Sequence, residues 1–252
     1  MKIDLSNQKI LVTGASRGIG KSIARMLADA GAEVGIHFNK NKAAAESLAS
    51  EIGDQARIFQ ANLEDASECV RLLKDVLEAF GRIDVLVNNA GIVLPIEQDA
   101  DTTDFLIAWN KTLQVNLVAS ALLCHELIPH YSKQGGGRFI HISSRAAFRG
   151  DTPEYMAYAA SKAGMVALSR SIARGFGKQG IKSFIIAPGF TRTDMAQEFI
   201  DTYGEEIVLN DLALSELTEP EDVAPSVLFL ASGMMDHATG CSIDINAGSY
   251  VH

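Results

Sequence analysis

The run Lys9-Ile-Leu-Val-Thr13 ends at a glycine and opens into Gly14-Ala-Ser-Arg-Gly-Ile-Gly20. Ile19, Ile23, Met26 and Leu27 then recur at helical spacing over 18–30, up to a stop at Gly31. A short apolar strand, a glycine-rich turn and an amphipathic helix in direct succession start a β-α-β unit. Glycines in such a turn let backbone N–H groups and a helix N-terminus approach a pyrophosphate. Gly20-Lys21-Ser22 also resembles the end of a phosphate-binding P-loop. That motif needs a glycine five residues before its Gly-Lys pair, where this chain has Ala15, and Gly14 falls one place too early. Lys21, on the second turn, is expected to point away from the loop. The P-loop reading fails. Taken alone, the turn also admits a reading with no ligand.

The alternation continues. Apolar runs at 33–38, 57–61, 83–88, 138–143, 181–187 and 242–245 read as strands. Helical spacing appears at 41–52, 65–80, a long region over 103–133, the stretch through Tyr158 to about 178, and 220–231. Residues 192–217 read as irregular and polar, and Pro225 is expected to remove a hydrogen bond inside the last helix and to kink it. Strands alternating with helices predict an α/β fold, a doubly wound parallel sheet of about seven strands with helices on both faces. No repeat or linker interrupts the pattern, so residues 1–252 are read as a single domain.

Composition narrows the function. Of 252 residues, 47% are hydrophobic and 21% charged, and the formal charge is −9. That balance, with no basic stripe, argues against nucleic acid or an anionic membrane as partner. Three scattered cysteines and no C-x-x-C argue against a disulfide framework or a zinc site, and no metal is expected. His125 and His130 do not share a helix face, and His141 reads as a core residue of its strand. No signal-peptide pattern or span of about 18 apolar residues is present, which suggests a cytoplasmic protein.

Tyr158 and Lys162 lie four apart in an alanine-rich, proline-free stretch, so they share a helix face. An ammonium beside a phenol stabilises the phenolate, so the Tyr158 pKa is expected to fall toward neutrality and make it a proton donor and acceptor. Upstream, Gly137-Arg-Phe-Ile-His-Ile-Ser-Ser144 is an apolar strand that ends in hydroxyls. The ordered set Thr13-Gly-x-x-x-Gly-x-Gly20, Asn88-Asn-Ala-Gly91, Asn116, Ser143-Ser144, Tyr158-x-x-x-Lys162 and Pro188-Gly189 with Thr193 spans nearly the whole chain. It resembles the short-chain dehydrogenase/reductase superfamily, in its 3-oxoacyl-[acyl-carrier-protein] reductase-like branch.

The resemblance implies a Rossmann-type oxidoreductase that interconverts a carbonyl and an alcohol by hydride transfer. Tyr158 would be the general acid/base and Lys162 would depress its pKa. Ser144 would bond the carbonyl oxygen, and Asn116 would anchor a water that relays protons to Lys162. Gly14, Ser16, Arg17, Gly18, Ile19 and Gly20 would bind the coenzyme from the glycine loop. Asn39 and Lys40 would do so after the second strand, Asn62 and Leu63 after the third, and Asn89, Ala90 and Gly91 after the fourth. Tyr158 and Lys162 would hold the nicotinamide side, which Pro188, Gly189, Thr191 and Thr193 would cover. Asn88 would help shape the floor of the site, and Phe148, Arg149, Leu94, Met195 and Phe199 are expected to line the substrate pocket. The alternative is a catalytically silent dinucleotide sensor or scaffold on the same fold.

Departures from the family pattern carry information. Ser144 lies fourteen residues before Tyr158, where thirteen is commoner, which leaves Ser143 as the alternative donor. Gln179 stands where related carrier-protein reductases often have arginine, which argues against a dedicated carrier-protein enzyme, as does the charge of −9. No acid lies between Val34 and Lys42 at the end of the second strand, so NADP(H) is favoured over NAD(H), with Arg17 expected at the ribose edge. The resemblance further implies a homo-oligomer, a tetramer or dimer paired through the helices at 103–133 and 157–178, and a lid over 192–217.

Overall fold

Alternate residues of a strand face opposite ways, so a central strand covered by helices on both sides buries apolar residues on both faces, as Lys9–Val12 does with Ile10 and Val12 on one side and Leu11 on the other. The computed structural model describes residues 3–251, with the side chains of Met195, Glu198, Phe199, Thr202 and Tyr203 outside the described set. Seven parallel strands form one sheet: β1 Lys9–Val12, β2 Glu33–Phe38, β3 Ala56–Gln60, β4 Val85–Asn88, β5 Gly137–Ile142, β6 Ile181–Pro188 and β7 Ser242–Ile245. Their order is β3-β2-β1-β4-β5-β6-β7, so the winding reverses between β1 and β4. Such a reversal opens a crevice at the carboxyl ends of the strands.

The helices are α1 Gly18–Asp29, α2 Lys42–Ile52, α3 Ala66–Phe80, α4 Thr102–Leu113, α5 Ala119–Gln134, α6 Ala146–Arg149, α7 Met156–Phe176, α8 Asp194–Tyr203, α9 Glu205–Leu209 and α10 Pro220–Ala231. Ile10 and Val12 pack with Ile23 and Leu27 of α1, Leu48 of α2 and Val227 of α10. Leu11, between them, faces the other layer with Leu72 of α3, Leu123 of α5 and Ile172 of α7. Each such fully buried aliphatic side chain contributes about 1.5–3 kcal/mol relative to exposure.

Two segments differ from the sequence reading. The long helix over 103–133 is interrupted by a π-turn, Gln114–Val118, in which the Ala119 N–H reaches back to Gln114 O. Residues 192–217 are not irregular: Thr193 caps α8 by accepting from Ala196 N at 3.4 Å, and Gly204 at φ +86° separates α8 from α9. One capping hydroxyl and a helix-breaking glycine organise a stretch whose weak periodicity hid it. Pro225 lies inside a continuous α10, which starts at Pro220 behind a reciprocal Glu219–Asp222 capping box. Lys21 points away from the glycine loop, as expected, to Glu51 at 3.4 Å.

Candidate active site

A cleft of about 570 Å³ occupies the reversal point. Every residue expected to bind coenzyme lines it, from the glycine loop through Asn39, Lys40, Asn62 and Leu63 to Gly91 and Thr193. At the glycine loop no side chain caps the first turn of α1, whose N-cap residue is Arg17. Uncapped amides at a helix N-terminus are donors for an anion. Gly20 permits the loop's close packing, since a Cβ there would collide with Gly14 O and Asn89 Nδ2.

The far wall is stapled to that loop. Asn89 Nδ2 donates to Thr13 O at 2.9 Å and Gly14 O at 3.1 Å, while Thr13 Oγ1 accepts from the amides of Asn89 and Ala90, both at 3.0 Å. Asn89 therefore shapes the cleft with its amide already engaged. Asn88, expected at the floor, is instead buried beneath it, with Nδ2 3.3 Å from His141 Nδ1 and 3.4 Å from Cys124 Sγ. Strand alternation turns it toward α5. His141 is a core residue, and burial pulls its pKa down to about 3.

Sequence reasoning missed His37. Its Nδ1 accepts from Gly14 N at 3.0 Å and its Nε2 faces Ala61 O at 3.1 Å, so one buried imidazole ties the glycine loop to the end of β3. Burial pulls its pKa down to about 4, so it stays neutral and keeps Nδ1 free to accept. The only signal in the sequence was a polar residue inside an otherwise apolar strand.

Ser144, Tyr158 and Lys162 meet at the other end of the cleft. The Lys162 ammonium is buried, donates to Ile142 O at 2.8 Å and lies 5.6 Å from the Tyr158 ring centroid. Burial lowers its pKa to about 8. The expected fall in the Tyr158 pKa does not occur. Burial of the phenol outweighs a bond from Ser144, and Asp151 adds to the rise, which brings the pKa to about 12. Lys162 stands over the ring and is spent on a carbonyl, so its charge does not offset desolvation. Tyr158 is thus a phenol throughout the neutral range.

Ser143 turns inward to bond Lys162 O at 3.0 Å, while Ser144 bonds the Tyr158 phenol and accepts from Ala146 N at 3.1 Å. That separates the two serines. Asn116 sits just behind the cleft in the π-turn, and its amide is fully engaged. Oδ1 accepts from Ile92 N at 2.8 Å, and Nδ2 donates to Ile92 O and Ser161 Oγ, both at 3.0 Å. A Cβ on Gly91 would lie 3.4 Å from both Asn116 Oδ1 and Lys162 Nζ, so the missing side chain leaves room between them.

At the rim, Arg17 Nη1 pairs with Asp194 Oδ2 of α8 at 3.2 Å, and both lie exposed beside the cleft. Of the expected substrate-pocket residues, Phe148 stacks on Tyr250 at 6.2 Å and Arg149 pairs with Asp211 at 3.0 Å; Leu94 is half-buried outside the cleft wall. Met195 and Phe199 fall outside the described side chains.

The family profile described as enoyl-(acyl carrier protein) reductase matches residues 14–250. The chain is 36% identical over 250 residues to the 3-oxoacyl-[acyl-carrier-protein] reductase FabG of Staphylococcus aureus, covering 96% of this chain and 97% of that protein. Among solved structures, a 3-ketoacyl-(acyl-carrier-protein) reductase from Brucella melitensis complexed with NADH superposes at a TM-score of 0.89 with 27% identity, covering 98% of this chain and all of that one. An NADPH-dependent 3-quinuclidinone reductase from Rhodotorula rubra superposes at 0.88 with 27% identity, covering 98% of this chain and 93% of that one. Sequence match and superposition agree along almost the full length: the chain belongs to the short-chain dehydrogenase/reductase superfamily, in its 3-oxoacyl-[acyl-carrier-protein] reductase-like branch.

Proposed function

We propose that the protein reduces a ketone or aldehyde carbonyl, a 3-oxoacyl thioester among the candidates, with NADP(H) as coenzyme and Tyr158 as general acid. The observation that carries this reading is the meeting of Ser144, Tyr158 and Lys162 at one end of a dinucleotide-sized cleft. When bound there, the reduced nicotinamide supplies hydride to the carbonyl carbon. Ser144 donates a hydrogen bond to the carbonyl oxygen, where negative charge develops. Tyr158 gives that oxygen its proton, and Lys162, held by Ile142 O, keeps its ammonium over the Tyr158 ring. A phenol with a pKa near 12 is in its acid form at neutral pH, the form that can give up this proton. Asn116 acts by fixing the Ile92 main chain beside Lys162.

The chain's own residues support the coenzyme choice, since one relative structure holds NADH and another belongs to an NADPH-dependent enzyme. Lys40 and Asn39 edge the cleft after β2, and Arg17 stands at the same rim. A 2′-phosphate would compete with Asp194 for Arg17. Exposed ion pairs of that kind contribute less than about 1 kcal/mol, so a doubly charged phosphate wins. The test is kcat/KM for NADPH and NADH, with acetoacetyl-CoA and 3-quinuclidinone as carbonyl probes, in wild type and Arg17→Ala. The substitution should penalise NADPH selectively, by about 1.5–3 kcal/mol, the loss of one charged hydrogen bond. Equal losses for both coenzymes, or a wild type that prefers NADH, would overturn the choice.

The same reading includes assembly. α4 buries only Thr112 fully and exposes Leu106 and Ile107, with Val118 and Met156 also exposed on the neighbouring helices. These apolar side chains are expected to be covered by a second copy, as a dimer or tetramer. Light scattering at micromolar concentration that gave a monomer would contradict it.

A further inference from the structure

Asp211 is far from Ser144 in sequence yet is bound to the residue next to it. Its Oδ2 accepts from Arg145 Nη1 at 2.7 Å and from Arg149 Nη1 at 3.0 Å. Arg145 directly follows Ser144, and Arg149 closes α6, whereas Asp211 lies just beyond α9 at the tip of the segment that starts at Thr193. The Arg145 main chain holds the root of the same segment, because its N–H donates to Pro188 O at 3.0 Å. One residue therefore grips the segment at root and tip.

The tip has a second attachment. Ala213 N and Leu214 N both reach Ala247 O, at 2.8 and 3.3 Å, and Ala247 adopts φ +51°, a left-handed conformation that alanine seldom takes. Nearby, Phe148 of α6 stacks on Tyr250. Tip, α6 and C-terminal tail thus form one cluster on the Ser144 side of the cleft.

The electrostatics make Asp211 the keystone. The Arg145 side chain is only 11% exposed; burial and the neighbouring Arg149 lower its pKa, against the carboxylates of Asp211 and Asp151. A desolvated guanidinium that loses its carboxylate is left with an unpaired charge, and it must move toward water or find another acceptor. Either movement would displace the backbone next to Ser144.

We propose that Asp211 is a positioning residue: through Arg145 and Arg149 it couples the seating of the 193–217 segment to the placement of Ser144. This deepens the proposed function and rests on Ser144 as the hydrogen-bond donor to the carbonyl. Substrate enclosure and completion of the donor set then become one event, a common way for a lid to commit a substrate.

Hydrogen–deuterium exchange of the 252-residue chain tests the coupling without needing turnover. Wild type, Asp211→Asn and Asp211→Glu would be compared, each free and with NADP+. Asp211→Asn should speed exchange by roughly tenfold in peptides spanning both 143–150 and 205–217, with β1–β4 unchanged. NADP+ affinity, read by fluorescence titration, should stay at the wild-type value, and Asp211→Glu should restore both segments. Arg149→Gln removes one of the two contacts and should give the same paired pattern at smaller amplitude, should the asparagine variant fail to fold. Faster exchange confined to 205–217, loosening of every peptide alike, or no rescue by glutamate would each overturn the proposal. Ser144→Ala that kept full turnover would instead remove the assignment of Ser144 and leave the coupling standing.

Discussion

Tyr158→Phe should lower kcat for carbonyl reduction by about 10²–10⁴-fold while leaving coenzyme dissociation constants at wild-type values. The substitution deletes one oxygen and keeps the ring. Lys162 retains its bond to Ile142 O and its place over the ring face, so that end of the cleft keeps its shape. What disappears is the proton donor and the acceptor of the Ser144 bond. A loss in kcat without a loss in coenzyme binding is the signature of an interaction made in the transition state. Tyr155→Phe is the control. Tyr155 stands at the N-cap of α7, lines no part of the cleft and should change turnover little. Equal losses in the two variants, or near-normal kcat in Tyr158→Phe, would remove Tyr158 from the reaction.

The sheet and the cleft were legible because both rest on local signals. Apolar runs followed by helical spacing, the first helix stopping at Gly31, define strand–helix units without reference to the rest of the chain. The glycine loop, the Asn89–Gly91 turn and the Tyr158–Lys162 pair are each contiguous in sequence. What local pattern could not carry was desolvation. The rise in the Tyr158 pKa comes from burial by distant segments, and a spacing of four residues reports only that Lys162 is near. His37 escaped for a related reason, since its role depends on Gly14 and Ala61, which reach it from two different loops. The Asp211 cluster spans 62–66 residues in sequence and has no motif at all. The helices at 194–209 were hidden by composition, being short, polar and capped by one threonine.

Stability should fall steeply as pH drops below about 6.5, ahead of the usual carboxylate range, because two histidines are buried neutral. His37 and His141 have folded-state pKa values near 4 and 3, against 6.5 when free, and desolvation is the main cause for each. Between those limits the unfolded chain binds more protons than the folded one, so lowering the pH favours unfolding. Each group contributes about 1.4 kcal/mol per pH unit inside its window, so the pair should remove on the order of 5 kcal/mol between pH 6.5 and 4.5. That is a large part of the roughly 5–15 kcal/mol that holds a domain together. Urea unfolding at half-unit steps from pH 7 to 5 would measure the slope. His37→Asn offers a neutral amide able to face both Gly14 N and Ala61 O, and it should about halve that slope. The two histidines also differ in what their protonation disturbs. An imidazolium at position 37 cannot accept from Gly14 N, so the NADP+ affinity of the folded wild-type protein should hold through that window and weaken only as the pH nears about 4, and much less in His37→Asn. His141 faces Asn88, buried beneath the cleft, so His141→Gln should reduce the stability slope and leave the pH dependence of NADP+ binding intact. A wild-type stability that stayed flat from pH 6.5 to 5 would show that neither imidazole is held neutral by the fold.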